Sequence, residues 1–170
     1  LILGIAAPAS AASGGDFDAG EIISDALFFD GEAMSAEQVQ RFLDARVPLC
    51  DTWRAGRGEH QPPFTCLKDY RQGVPTMPAD EYCAAIEGGS MSAAQLIAAV
   101  GRACGVSQKV LLVLLQKEQS LVTDRWPWRL QYEHATGFSC PDSAPCDPRF
   151  AGFFYQVYYA ARQFQLYRLH

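Results

Sequence analysis

Apolar residues recur at helical spacing in four stretches of this chain, each opened by a residue suited to capping a helix. Val39, Phe42 and Leu43 share a face in Ala36 to Arg46. Ser35 precedes that face as cap, Gln38 completes a capping box, and Met34 is placed to staple against Val39. Met91-Ser-Ala-Ala-Gln95 repeats the signal and opens a helix from Ala93 to about Ala103, with Leu96, Ile97 and Val100 inward and Gly105 as its stop. Ser107 caps a third helix, the most apolar, ending near Gln119. Asp147-Pro148 reads as the start of a last helix running to about Arg168, with Phe150, Phe154, Val157, Ala161 and Phe164 inward. Gly14 to Ala33 reads as extended or irregular. Val47 to Ser90, with Pro48, Pro62, Pro63, Pro75 and Pro78, reads as a loop-rich lobe with a short helix at Ala79 to Ala85. The expected fold is mainly α, with the Ser107 to Gln119 helix buried at its centre.

One residue disturbs that third helix. Stepping back from Glu118 by helical spacing gives Leu115, Leu114, Leu111 and Val110, so a carboxylate extends an apolar stripe. Desolvation there disfavours the charged form, which suits an acid that must donate a proton near neutral pH. The bland alternative is a Glu that swings into solvent or pairs with Lys117, Arg125 or Arg129.

Composition narrows the partners. The 170 residues carry a formal net charge of −5 with no basic stripe, which argues against nucleic acid. Leu1 to Ser13 is a short apolar run ending in small residues and resembles the back half of a secretory signal peptide; it is too short to span a bilayer. Residues 14–170 then form one domain. Six cysteines, Cys50, Cys66, Cys83, Cys104, Cys140 and Cys146, lie in or beside turn-rich segments, as expected of disulfides in an oxidising compartment. Fifteen pairings are formally open. The sequential one is the expectation taken forward.

The segment after Glu118 is dense in Trp126, Trp128, Tyr132, Glu133, His134 and Phe138, while Tyr155, Tyr159 and Arg162 form an amphipathic stripe on the last helix. Flat aromatic faces with polar tips suit sugars, although tyrosines also commonly cover a core edge. Other chemistries have less behind them. Glu59-His60 and Glu133-His134 do not make a metal motif, and the chain lacks Gly-x-Ser-x-Gly and Cys-x-x-Cys. No metal and no cofactor is expected.

The order of a helix ending in Glu, an aromatic and glycine-bearing turn region and a long helix resembles the lysozyme-like superfamily of lytic transglycosylases and bacterial muramidases and glucosaminidases. Leu114-Leu-Gln-Lys-Glu-Gln119, Ala135-Thr-Gly-Phe-Ser-Cys-Pro-Asp142 and Gly152-Phe-Phe-Tyr-Gln-Val-Tyr158 look like a family of secreted actinobacterial lysozyme-like proteins, some labelled haemagglutinin. The similarity spans roughly Phe29 to Arg168. It implies a secreted, wall-associated protein acting on peptidoglycan or another cell-wall polysaccharide, with Glu118 as catalytic acid. Gly137-Phe138 falls at the substrate-lining turn, and Gln119, Tyr132, Tyr155, Gln156 and Tyr159 are the expected sugar-binding groups. Two departures stand out: the Gly-Leu-Met-Gln pattern is absent, and related chains continue into a further aromatic segment, so this chain is expected to be cut short at its C-terminal end.

Glycoside cleavage needs a proton on the leaving oxygen and a means to quench the oxocarbenium-like sugar. Asp124, Glu133 and Asp142 are the candidates for a second acid. Without one, a lytic transglycosylase route can reuse a single Glu. The competing reading is a secreted wall-binding or adhesion module on the same scaffold without turnover.

Overall fold

The computed structural model describes residues 22–53, 58 and 60–170. The expected signal remnant at Leu1 to Ser13 lies outside the described residues. Six α-helices are described: α1 (Asp25–Phe28), α2 (Ala36–Arg46), α3 (Ala93–Cys104), α4 (Gln108–Gln119), α5 (Arg129–Glu133) and α6 (Phe153–Leu169). One antiparallel hairpin accompanies them, β1 (Arg71–Val74) with β2 (Gly89–Ser92), in the register Arg71 to Ser92 and Val74 to Gly89. The fold is largely helical, and no described helix is long and apolar enough to cross a membrane.

Both capping boxes form. Ser35 Oγ accepts from the Gln38 amide while the Ser35 amide donates to Gln38 Oε1 at 2.7 Å, and Ser92 with Gln95 repeats the arrangement. Ser92 is also the last residue of β2, so the hairpin feeds α3 without a loop. Gly105, at φ 60°, ends α3 in the left-handed region as expected.

The centre of the core is α3, not α4. Ala93, Ala94, Leu96, Ile97, Ala98, Val100, Gly101 and Cys104 are all buried, and α2, α4 and α6 pack around them. Small side chains set this arrangement, because alanine and glycine let neighbouring backbones approach where leucine would hold them apart. Correspondingly, α4 buries Gln108, Leu111, Leu112 and Leu115, while Val113 is exposed and Val110 and Leu114 are half-buried. The buried stripe is therefore rotated from the one expected, and Glu118 continues its half-buried flank.

Three other expectations fail. Residues 79–85 form no helix; Asp80 there accepts from the amides of Tyr82 and Cys83, an Asx-type turn that competes with helix. Asp147-Pro148 opens only a 3₁₀ turn, Pro148–Phe150, because Gly152 at φ 104° interrupts the chain before α6 begins. Within the stretch expected to be irregular, 25–28 make one helical turn whose Phe28 packs edge-on against Phe164 at 5.0 Å.

The lobe between α2 and α3 is held from both ends. Cys50–Cys66 closes its first loop and Cys83–Cys104 ties it to the last turn of α3, where the Ala84 amide also donates to Ala103 O at 2.8 Å. Cys140–Cys146 is the third bridge, so the sequential pairing holds. Leu67, Val74, Cys83 and Ile86 carry the lobe into the shared core.

Candidate active site

Helix α4 stops at Ser120, which takes φ 57°, and the chain turns so that Leu121 and Val122 enter the core. That stop leaves Glu118 on the last turn with its side chain 28% exposed. Its carboxylate lies against the turn that follows α5. Gly137 sits there at φ 69°, and a Cβ built on it would meet Glu118 Oε2 at 3.2 Å. Glycine is favoured twice at this point, by the left-handed backbone and by the room the carboxylate takes.

Gln156 from α6 fixes the turn. It is 1% exposed; its Oε1 accepts from the amides of Thr136 (3.2 Å) and Phe138 (3.1 Å), and its Nε2 donates to Phe138 O (3.0 Å) and Phe150 O (2.9 Å). Thr136 Oγ1 donates to the Gln156 carbonyl at 2.9 Å. With both N–H groups used, Gln156 has none to offer a sugar. The residue expected to bind substrate is a latch that presents Gly137 and Phe138.

Tyr132 is also displaced from its expected role. It is 3% exposed, stacks on Tyr70 at 4.0 Å and donates to Thr65 O at 2.5 Å, so it joins the lobe to the core. Burial holds its hydroxyl well above the ordinary tyrosine range, with Tyr70, Asp124 and Asp69 adding to the effect. Gln119 is half-buried, and its backbone carbonyl accepts from Gln131 Nε2 at 2.8 Å.

Aromatic rings do gather beside the Gly137 turn. Phe138 stacks on Tyr159 (5.7 Å, 21°) and meets Phe150 edge-on (5.1 Å), while Tyr155 lies 6.3 Å from Tyr159. Phe138, Tyr155 and Tyr159 are all half-buried. Trp126 and Trp128 instead face the lobe: Trp126 stacks on Phe64 at 4.6 Å and Trp128 lies 4.1 Å from His60. Arg162, at the far end of the tyrosine stripe, is paired to Asp80 at 2.6 Å.

The candidates for a second acid are used elsewhere or exposed. Asp124 Oδ1 accepts from the Trp126 amide and its Oδ2 from Gln131 Nε2 at 2.7 Å. Glu133 pairs with Arg129 one turn back at 3.3 Å. Asp142 is exposed within the Cys140–Cys146 loop. Of the three cations considered for Glu118 itself, Arg125 engages Asp51 and Arg129 engages Glu133, whereas Lys117 Nζ reaches Glu118 Oε1 at 2.6 Å. Lys117 is 74% exposed, so the pair is a surface ion pair worth at most about 1 kcal/mol.

A ring nitrogen of His134 and the sulfurs of Cys140 and Cys146 lie within 4.8 Å of one another, but the sulfurs are bonded together and offer no thiolate to a metal. Hollows of about 520 Å³, between the start of α2, β2 and α3, and about 480 Å³, lined by Met34, Phe42, Leu112 and Val122, are not lined by Glu118.

Compared with family models, with curated proteins and with solved structures, the chain matches none.

Sequence alone does not single out Thr136 and Gln131, whereas it does offer Lys117 as a partner for Glu118. A signal was present for the latch: Gln156 lies between Phe153, Phe154 and Val157 on a face otherwise apolar, which marks a buried amide needing internal partners.

Proposed function

We propose that this chain is a secreted glycan-strand cleaving protein of lysozyme-like type, acting on peptidoglycan with Glu118 as general acid. The observation that carries the reading is the half-exposed carboxylate at the end of α4, set against a left-handed glycine whose turn is pinned by a buried glutamine. A structural glutamate needs no such cradle.

With Asp124 and Glu133 held by other partners, the single-acid route fits best. Glu118 gives its proton to the leaving glycosidic oxygen as the bond to the anomeric carbon breaks. The 6-hydroxyl of the same muramic acid then closes on that carbon, and its proton returns to Glu118. The Phe138, Tyr155 and Tyr159 rings supply apolar faces for sugar. Lys117 Nζ occupies Glu118 Oε1 in the free protein, so substrate entry must displace it.

That same ion pair favours a second reading, a wall-binding module in which Glu118 is a ligand-contacting carboxylate without turnover. Digestion of purified peptidoglycan by the wild type and by Glu118→Gln, with the released muropeptides weighed, separates the two. Cleavage giving anhydro-muramic ends, lost by about 10²-fold or more in the variant, supports the acid. Equal cleavage by the two proteins overturns it, and sedimentation with sacculi without cleavage selects the binding module.

A further inference from the structure

The three disulfides differ in what surrounds them. Cys83 and Cys104 are 3% and 1% exposed, and half-buried Cys50 is bonded to Cys66 at 0%. Cys140 and Cys146 are both half-buried, and residues 141–145 between them are all exposed. A ring nitrogen of His134 stands within 4.8 Å of both of these sulfurs. Thiol–disulfide exchange requires a thiolate to reach one sulfur, and it runs faster when the departing sulfur is relieved of its charge. An imidazolium beside a sulfur does that.

We propose that Cys140–Cys146 is a site of thiol–disulfide exchange, in which His134 protonates the departing sulfur and opening releases the Gly137 turn. A low-molecular-weight thiol gives its proton to His134 and its sulfur bonds to one cysteine sulfur. The S–S bond breaks, its electron pair moves to the other sulfur, and that sulfur takes the proton from His134. A second thiol attacks the reductant's sulfur in the mixed disulfide and its proton passes to the released cysteine sulfur, leaving two cysteine thiols and one disulfide that joins the two reductant sulfurs. The protein gains two electrons and two protons, and the reductant loses them.

Both chain ends leaving the bridge lead into the Gly137 turn. The Cys140 amide donates to Gly137 O at 3.1 Å and the Asp147 amide to Ser139 O at 3.0 Å. Asp147 caps the turn that carries Phe150, whose carbonyl accepts from the Gln156 latch and whose ring meets Phe138. Opening the bridge removes the covalent link between the two sides of this ring of contacts.

The test uses the oxidised protein, short pulses of dithiothreitol, acid quench, alkylation and peptide mass spectrometry. Cys140 and Cys146 label at least about tenfold faster than Cys83 and Cys104, and ahead of Cys50 and Cys66. In His134→Gln this opening slows about fivefold or more while the other two bridges keep their rates. Hydrogen exchange at the amides of 136–140 rises once the bridge is open. Equal opening rates for all three bridges in the wild type overturn the exchange site, whatever the variant does. An unchanged rate in His134→Gln overturns the role of His134, and unchanged exchange at 136–140 overturns the link to the turn.

Discussion

The two ends of α4 solve a similar steric problem in opposite ways. At its start Gln108 is fully buried: Nε2 donates to Gly31 O at 2.5 Å, Oε1 accepts from the Met34 amide at 2.9 Å, and Gly101 opposite leaves room for the side chain. At its end Glu118 is likewise set against a glycine, Gly137, yet it is part-exposed and bonded to an exposed lysine. An amide can satisfy both its halves on backbone partners and disappear into the core. A carboxylate with its acceptor sites only partly used retains capacity for a visitor. The difference distinguishes a polar group used up by the fold from one that keeps part of its hydrogen-bonding capacity, although both stand on one helix beside glycine.

That comparison breaks most visibly at Gln108. Gln108→Leu leaves the Met34 N–H and the Gly31 carbonyl without their partner, and each such loss costs about 1–3 kcal/mol, so about 3 kcal/mol in all is expected. Glu118→Gln should change stability by no more than about 0.5 kcal/mol, or raise it slightly. Urea unfolding of the two variants measures both. Comparable losses would mean that Glu118 is as structural as Gln108.

Which parts of this arrangement sequence could reveal follows from how local each signal is. The capping boxes at Ser35 and Ser92 involve contacts across four residues and were legible outright. Gly105 as a helix stop was equally local. Hydropathy points to the leucine-rich α4 as the central helix, whereas close approach favours the small residues of α3, Ala93, Ala94, Ala98 and Gly101. The hairpin escapes because each strand is only four residues long and β2, unlike β1, does not alternate in burial. At the site, Glu118, Gly137, Phe138 and Tyr159 were each named from sequence, but their meeting depends on how α4, the turn after α5 and α6 pack. The polar tips of Gln156 and Tyr132 suit a ligand, but their internal partners include Phe138 and Thr65, 18 and 67 residues away, which no local pattern marks.

The glycines sharpen the contrast at a smaller scale. A Cβ on Gly101 would meet Val106 O at 2.8 Å as well as Gln108 Nε2 at 2.7 Å, and the first of these is backbone that cannot swing aside. Gly101→Ala should therefore cost about 2 kcal/mol through overpacking, more than its gain in helix propensity. At Gly137 the neighbour is the mobile end of a carboxylate, so Gly137→Ala should cost about 1 kcal/mol, from the left-handed backbone. Its effect on any Glu118-dependent activity should exceed that, because the carboxylate has to move. Thermal unfolding compared with peptidoglycan cleavage separates the two effects. A larger stability loss at Gly137 than at Gly101 would reverse the ranking.

Tyr132 extends the comparison to a hydroxyl closed inside the protein. Tyr132→Phe removes its bond to Thr65 O and should cost about 1 kcal/mol near neutral pH. The alkaline range adds a distinct signature. A tyrosine in the unfolded chain loses its proton near pH 10, whereas burial, then Tyr70, Asp124 and Asp69, keep the Tyr132 proton in the folded state to higher pH. Above about pH 10 the unfolded chain thus binds fewer protons than the folded one, and stability falls as pH rises through that window. The wild type carries this slope and the phenylalanine variant lacks the share due to Tyr132. Their stabilities, measured by urea unfolding from pH 8 to 11, should converge at the alkaline end. A constant gap across that range would mean that the hydroxyl titrates alike in both states, and that Tyr132 belongs with Glu118 on the open side.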